Sequence, residues 1–327
     1  MAEQLLSVRQ LIVEARSPHG RSVQLVRGLD LDIEAGEILG LTGESGAGKS
    51  LTAQVLMGLT PPGMMVAGDS LIRWRGRELN GLAERQWRKL RGSQFALIPQ
   101  NPMTALNPTR SIGSQMRYLL KLHRQTTGRM ATEAAARALS RLAIPDAGRV
   151  LERYPHQLSG GMAQRALIAM AVLCRPKLLI ADEVTSALDV TSQAAIVDQL
   201  TGVCRESGTA LLMITHDLGL VARSCDRAAV MYFGRIVEQG PVDSLFGEPR
   251  HPYTAGLLAA IPGRADPSQT RLNSLAGQVP DVDWRPSGCS FAPRCNKAAE
   301  RCIDREPENI KEDERSYRCF HPLLRSP

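Results

Sequence analysis

The stretch Gly43–Ser50, which reads GESGAGKS, decides the fold. It fits the pattern G-x-x-x-x-G-K-[ST], in which glycines let the backbone approach a ligand closely and turn its N–H groups toward phosphate oxygens. The preceding GEILGLTG reads as a short buried strand and the following SLTAQVLMGL as a helix. A helix that begins near Lys49 adds partial positive charge at the same point. The sequence therefore predicts a phosphate-binding loop for a nucleotide.

The loop suggests a role for each of its members. Lys49 is expected to reach the β- and γ-phosphates, and the Ser50 hydroxyl is expected to bind Mg²⁺. The other candidate nucleotide-binding residues of the loop are Gly43, Glu44, Ser45, Gly46, Ala47, Gly48 and Leu51. A chance glycine-rich turn is the alternative, and the strand and helix that flank the loop argue against it.

Composition bounds the rest of the chain. The 327 residues suffice for one large domain and a smaller one, and a hydrophobic content of 43% is ordinary for a folded protein. The net charge of +7 is only a weak reason to expect nucleic acid or an anionic membrane, and we expect no nucleic-acid partner. The longest apolar run, Ala166–Cys174, is too short to span a bilayer. The first ten residues lack a signal-peptide pattern, so we expect a cytoplasmic protein that serves a membrane only through partners.

Polar residues follow several apolar strands. The segment LLIADE ends in Asp182, which can hold Mg²⁺ through water, and Glu183, which can orient or deprotonate an attacking water. A pair of surface acids at a strand end is the alternative. Gln100 follows the strand-like FALIP, and His216 follows LLMIT. Farther along, LSGGMAQR opens a helix whose serine and glycines form either an anion-binding start or an ordinary cap.

In the order of these motifs the chain resembles the ATP-binding-cassette (ABC) ATPases. GESGAGKS corresponds to Walker A, Gln100 to the Q-loop glutamine, LSGGMAQ to the signature, LLIADE to Walker B, SALD to the D-loop and His216 to the switch histidine. The resemblance covers residues 5 to about 245. It implies an α/β fold with a RecA-like core, an antiparallel β subdomain and a helical subdomain at about 101–165.

The resemblance also implies how these residues act. Two nucleotide-binding domains face each other head to tail, so the signature of one chain acts on the ATP of the other. The signature residues that would do so are Ser159, Gly160, Gly161 and Gln164. The residues that would hold Mg²⁺ are Ser50, Gln100 and Asp182. Glu183 would be the general base, His216 would contact the γ-phosphate, and Asp189 would bridge the two chains.

Longer segments are similar to the importer ATPases of the dipeptide, oligopeptide and nickel group. They are PQNPMTALNPTRSIG, YPHQLSGGM, RPKLLIADE, HPYTAGLLAAIP and PSGCSFAPRC. This likeness implies a cassette over residues 1–245 and a C-terminal extension over 246–327. It also implies two permease subunits, a second and often different ATPase subunit, and an extracytoplasmic solute-binding protein. The chain would then sit at the cytoplasmic face of the inner membrane.

Within this group, peptide import is the favoured interpretation and import of nickel or a metal chelate is the alternative. A soluble ABC protein of DNA repair or translation is a more distant one, because the chain has one cassette and no heptad run. The family usually has an aromatic residue against adenine where this chain has Ala15, and His19 is a nearby substitute. The segment 101–108, NPMTALNP, follows Gln100, and its prolines predict an irregular surface loop at the permease contact.

Four cysteines of the tail, Cys289, Cys295, Cys302 and Cys319, have the spacing C-x₅-C-x₆-C-x₁₆-C. Clustered cysteines in a cytoplasmic chain bind metal more often than they form disulfides. The spacing lacks the C-x₂-C pairs of structural zinc sites, whereas the ligands of a [4Fe–4S] cluster vary more in spacing. Some members of the resembled family are associated with such a cluster. We therefore expect a [4Fe–4S] site, with zinc or a core of reduced thiols as alternatives.

Overall fold

A computed structural model describes residues 3–16, 22–184, 190–261, 275, 277–284 and 286–324. Residue contacts divide the chain into two compact units. The first unit comprises residues 1–5, 33–38 and 81–213. The second unit comprises residues 6–32, 39–80 and 214–327. The predicted domain boundary near residue 245 stays a prediction.

The strands of the described residues are β1 (Gln4–Arg16), β2 (Ser22–Glu34), β3 (Ile38–Thr42), β4 (Met64–Ala67), β5 (Leu71–Trp74), β6 (Arg77–Glu78), β7 (Phe95–Ile98), β8 (Leu178–Asp182), β9 (Ala210–Ile214), β10 (Arg227–Tyr232), β11 (Arg235–Pro241), β12 (Ile310–Glu312) and β13 (Arg315–Tyr317). The α-helices are α1 (Lys49–Leu56), α2 (Glu84–Leu90), α3 (Pro102–Ala105), α4 (Ile112–Arg124), α5 (Gly128–Arg141), α6 (Ala147–Glu152), α7 (Gly160–Leu173), α8 (Val190–Ser207), α9 (Leu218–Ser224), α10 (Val242–Gly247), α11 (Pro252–Ala259) and α12 (Glu300–Asp304). Within the described ranges, no helix is both long and apolar enough to cross a membrane.

The second unit contains two sheets. The first has the strand order β2–β1–β5–β6, with β4 also paired to β1, and β1 runs antiparallel to both β4 and β5. In the second sheet the order is β12–β13–β11–β10–β3. Here β10 runs parallel to β3, whereas the pairs from β10 out to β12 are antiparallel. The alternation of apolar and polar residues at 5–15 and 23–33 predicts strands, and this prediction is confirmed by β1 and β2.

The segment 227–240, RAAVMYFGRIVEQG, predicts a hairpin that turns at Gly234, and β10 and β11 form that hairpin. Phe233 and Gly234 link the strands with φ of 44° and 81°, and two positive φ values are what a tight two-residue hairpin turn requires. A Cβ on Gly234 would lie 2.7 Å from the carbonyl oxygen of Leu25, so glycine is also needed for this close approach.

The strands of the first unit are buried and close to the predicted bounds. β8 lies between β7 and β9, and β7 runs parallel to β8. Every residue of β8 and β9 is buried, which explains their nearly continuous apolar sequences. Polar side chains can therefore reach the surface only after these strands end.

Helices α4, α5, α6 and α7 of the first unit pack against one another. The spacing of apolar residues in the sequence predicts helices at 129–144 and 162–174, and the structure has them as α5 and α7. Ala131, Ala135 and Leu139 recur every fourth residue of α5 and are fully buried, as expected for the apolar face of a helix. Helices α4, α5 and α6 fall inside the range of about 101–165 predicted for the helical subdomain, whereas α7 begins there and continues to Leu173; the subdomain itself stays a prediction.

The expectation of an irregular loop at 101–108 is wrong, because the segment contains the short helix α3. Asn101 accepts a hydrogen bond from the Met103 backbone N–H, and Pro102 occupies the first turn. Asparagine at the cap and proline at the first helical position are helix-start signals, so the first proline begins a helix here. Leu106, the residue that follows α3, is buried.

Candidate functional site

The predicted phosphate loop joins β3 to α1 in the second unit. Gly43, Gly46 and Gly48 all have positive φ, at 144°, 80° and 102°. A Cβ on Gly43 would collide with the carbonyl oxygen of Met231, and one on Gly48 would lie 2.9 Å from the Met231 Cε atom. Glycine is thus required where the loop passes close to β10.

Lys49 lies inside this loop, with 4% of its surface exposed. Its Nζ atom donates hydrogen bonds to the carbonyl oxygens of Gly43, at 2.8 Å, and Glu44, at 3.0 Å. The ammonium group is therefore held within the loop, where a phosphate group would be bound. The other predicted loop residues comprise the exposed Ser45, Gly46 and Ser50, the half-buried Leu51 and the buried Ala47.

Glu44 is fixed by two residues that the sequence analysis missed. Its backbone N–H donates to the Tyr253 hydroxyl at 2.9 Å, and its carboxylate accepts two hydrogen bonds from Arg294, at 2.6 and 2.9 Å. These partners lie 209 and 250 residues away along the chain. Tyr253 belongs to the segment HPYTAG noted above, but no local pattern in that segment indicates this contact.

His216 lies near the same loop. The backbone N–H of the preceding Thr215 donates to the carbonyl oxygen of Leu41, two residues before Gly43, at 3.3 Å. The following Asp217 caps α9 through its Oδ1 atom, which fixes the chain on the other side. His216 is exposed, and its contact with a γ-phosphate stays a prediction.

Gln100 and Glu183 meet in the first unit. The parallel register pairs Ile98 with Ala181, so the residues that follow both strands emerge at one sheet edge. There Gln100 Nε2 donates to Glu183 Oε2 at 2.9 Å. Asp182, the last residue of β8, is 8% exposed. Glu183 has φ of 47°, an uncommon conformation for a residue other than glycine and one that is often found at functional sites.

The signature segment begins α7. Ser159 caps the helix by accepting a hydrogen bond from the Met162 N–H at 3.3 Å, and both Ser159 and Gly160 are exposed. Among the described residues, and apart from the neighbouring residues and the backbone of the helix itself, no atom lies within 4 Å of a Cβ built on Gly160 or Gly161, so this helix start is open. Gln164, in contrast, is buried, and among the described residues its Nε2 atom has no hydrogen-bond partner.

Two predicted sites fall where the chain is not described. Asp189 and the rest of the predicted D-loop lie outside the described residues, as does His19. Ala15 is described within β1, where it pairs with Met64.

The four tail cysteines line one cavity of the second unit, which we call the cysteine cavity. Burial raises the pKa of Cys289 and Cys295, and it raises that of Cys319 to about 11. These three groups are thus neutral thiols at pH 7. Within the ranges that the structure describes, no group of three or more His, Cys, Asp or Glu side chains is arranged to hold a metal ion.

Comparison with known proteins identifies the family. Residues 26–186 match the family described as ABC transporter, and residues 237–302 match the one described as oligopeptide/dipeptide transporter, C-terminal region. The chain is 44% identical to the oligopeptide transport ATP-binding protein OppD of Salmonella typhimurium over 322 residues, which are 98% of this chain and 95% of that protein. The chain belongs to the ABC transporter family. It is also 42% identical to the dipeptide transport ATP-binding protein DppD of Bacillus subtilis, over 97% of this chain and 95% of that protein.

Solved structures agree on the fold of this ABC protein. A dimeric ATP-binding cassette, MJ0796, bound to ADP and phosphate in a post-hydrolysis state, matches with a TM-score of 0.65 and 21% identity, over 73% of this chain and 99% of that one. CbiO1 of Clostridium perfringens matches with a TM-score of 0.62 and 24% identity, over 75% and 92%. The predicted ABC ATPase fold is confirmed. The protein is an ABC ATPase, an enzyme of the class that hydrolyses ATP with Mg²⁺.

Proposed function

We propose that this ABC ATPase powers the import of dipeptides or oligopeptides through partner permease subunits. The observation that carries the proposal is the extent of the likeness to OppD and DppD, which includes the C-terminal region at residues 237–302 as well as the cassette. A likeness restricted to the cassette would not separate importers from other ABC proteins. Import of nickel or a metal chelate is the alternative left by the sequence.

The residues at the ends of β7 and β8 and those of the phosphate loop have different roles in ATP hydrolysis. When bound, ATP with Mg²⁺ supplies the γ-phosphoryl group that is transferred to water. Lys49 would balance phosphate charge at the start of α1, and Ser50 and Asp182 would hold the ion. The Glu183 carboxylate accepts the proton of the attacking water. The amide of Gln100, which donates to that carboxylate, holds it in orientation. Gln100 would also contact Mg²⁺ when the ion is bound.

A second, paralogous ATPase subunit completes each nucleotide site in this proposal. The exposed N–H groups at the start of α7, around Ser159 and Gly160, are suited to bind an anion from outside the chain. We infer that they bind ATP held by the partner, with Gly161 and Gln164 supporting that helix start. His216 contacts the γ-phosphate, and Asp189 bridges the two subunits.

Exposed apolar side chains support a permease contact in the first unit. Met103, Tyr118, Leu122 and Met130, which lie on α3, α4 and α5, are large and exposed. Apolar side chains grouped on successive helices often mark a partner surface. In this proposal two permease subunits bind there, an extracytoplasmic binding protein delivers the solute, and the ATPase lies peripherally at the cytoplasmic face of the inner membrane. The cassette occupies residues 1–245 and the extension 246–327.

Solute uptake tests the proposed function. Cells that lack the chain should lose accumulation of a radiolabelled dipeptide and retain accumulation of radioactive nickel. Supplying the intact chain should restore peptide uptake, and supplying an equally abundant chain with Lys89→Ala, a change of an exposed lysine on α2, should restore it as well. Loss of nickel uptake alone would favour the nickel alternative, and loss of neither would contradict both.

The tail cysteines support a finer proposal, that they ligate a [4Fe–4S] cluster. All four line the cysteine cavity, and cysteine thiolates are the usual ligands of such clusters. Ligation would displace the protons that burial keeps on the thiols. Among the described residues, no three His, Cys, Asp or Glu side chains are arranged to bind the same metal ion. A [4Fe–4S] cluster does not require this, because each of its iron atoms takes one thiolate. The cluster would supply a cross-link for a proline-rich tail, with no redox role implied.

Metal analysis tests the cluster. Anaerobically purified full-length chain should contain iron and acid-labile sulfide, about four of each per chain for a [4Fe–4S] cluster, and show brown absorbance. The variant Cys302→Ser should lose both, whereas Cys204→Ser, which changes a buried cysteine outside the cavity, should keep them. A colourless chain that contains zinc would favour the zinc alternative. One that contains neither metal would favour reduced thiols that pack a small core.

A further inference from the structure

The phosphate loop is connected to the tail through one residue of the loop, Glu44. Three of its groups are fixed: the carboxylate by Arg294, the backbone N–H by the Tyr253 hydroxyl and the carbonyl oxygen by Lys49 Nζ. All of these residues belong to the second unit. Glu44 is thus the point at which the tail can set the conformation of the loop.

Burial and contacts with two aromatic rings fix the position of Arg294. Its side chain is 4% exposed, and its guanidinium group lies 5.7 Å from the ring centre of Tyr232 and 5.9 Å from that of Phe291. It donates through two nitrogens to the two carboxylate oxygens of Glu44, which is the strong, directional form of this pair. Hydrogen bonding to Glu44 raises the pKa of Arg294 further, so the group stays charged.

The turn that carries Arg294 is part of the cysteine cavity. Arg294 ends the single turn Ala292–Arg294, and Ala292 and Cys295 both line the cavity. The Ala292 N–H donates to the Cys289 carbonyl oxygen at 3.0 Å, and the Cys295 N–H donates to that of Ala292 at 3.2 Å. Because these hydrogen bonds join the turn to residues that line the cavity, a change in how the cavity is filled would displace the turn that carries Arg294.

We propose that Arg294 is a positioning residue that couples the cysteine cavity to the phosphate loop and thereby sets the affinity for ATP. The inference rests on ATP binding by this loop, as in the proposed function, and does not depend on which group the cysteines hold. A loop already held in one conformation loses less conformational freedom when it binds phosphate. Releasing Glu44 restores that freedom to the loop before ATP binds, and this weakens binding. Lys49, which contacts the phosphates, is left in place.

The affinity of the full-length chain for Mg-ATP, measured by calorimetry, tests this role. Arg294→Gln should weaken binding about tenfold, which is the effect of ~1.4 kcal/mol. Arg294→Lys should lie between, because an ammonium group can replace only part of the two-pronged contact. The control Arg305→Gln changes an exposed tail arginine that is not among the residues lining the cysteine cavity, and it should bind as the wild type does.

Two double variants show whether the effect passes through the proposed connection. Glu44→Gln should weaken binding as Arg294→Gln does, and the two together should cost no more than either alone, because they break the same pair. Cys295→Ser should weaken binding in the wild-type background and have no further effect when Arg294→Gln is present. Thermal unfolding of every variant without nucleotide shows that it is folded.

Unchanged affinity in a folded Arg294→Gln variant with a lowered melting temperature would overturn the inference, because it would show a purely structural role. Additive effects of Arg294→Gln and Glu44→Gln would also overturn it, as would a Cys295→Ser effect that is absent or equal in both backgrounds. If Arg294→Gln does not fold, Glu44→Gln and Arg294→Lys test the inference instead, because each changes one partner of the ion pair. A wild-type chain that does not bind Mg-ATP would overturn the proposed function as well, which separates the two failures.

Discussion

Replacing Lys49 with alanine should weaken Mg-ATP binding roughly a hundredfold and abolish transport. The Lys49 ammonium group lies inside the loop and donates to the carbonyl oxygens of Gly43 and Glu44. Removing it leaves these acceptors and the bound phosphates without their cation. In the bound state, two charge-assisted hydrogen bonds from this ammonium group to the phosphates, at about 1.5 kcal/mol each, amount to about 3 kcal/mol, or a factor of roughly one hundred.

Calorimetric titration with Mg-ATP measures this loss, and peptide uptake by cells that carry only the variant measures its consequence. Lys89→Ala is the matched control, since it removes an exposed lysine from the short helix α2. A folded Lys49→Ala variant that binds and transports as the wild type does would show that this loop is not the nucleotide site.

Replacing Glu183 with glutamine should leave Mg-ATP binding within about twofold of the wild type and lower hydrolysis by about 10²-fold or more, the range typical of a general base. An amide cannot accept the proton of the attacking water at neutral pH. Its oxygen can still accept the hydrogen bond that Gln100 now donates to Glu183, so the local geometry should persist. The variant thus separates binding from chemistry.

Phosphate release by the chain assembled with its permease and second ATPase subunit is the appropriate measurement, because each signature must meet a partner's nucleotide. The control Glu206→Gln changes an exposed carboxylate that lies 3.7 Å from Arg141 on the same unit, and its turnover should equal that of the wild type. Near-normal hydrolysis by Glu183→Gln would assign the base to another residue. Lost ATP binding would indicate that Glu183 supports the structure of the site.

Local contacts explain why much of the fold could be predicted from the sequence. The turn at Gly234 and the helix that begins at Lys49 depend on residues within a few positions of each other. The same holds for buried strands such as β8, whose apolar run is its own signal. The wrong prediction at 101–108 is local as well, because proline disfavours regular structure in most positions but begins a helix when it follows a capping residue such as Asn101.

By itself, the sequence determined that a phosphate loop lies between a strand and a helix, that acidic residues follow a buried strand, and that the chain resembles ABC ATPases. It could do so because these features are encoded in short, contiguous patterns. Only the tertiary structure decided that Arg294 holds Glu44 and that four separated cysteines share one cavity. An ion pair between residues 250 positions apart leaves no recognisable pattern in the sequence near either residue. Its energy is gained only once folding brings the two groups together.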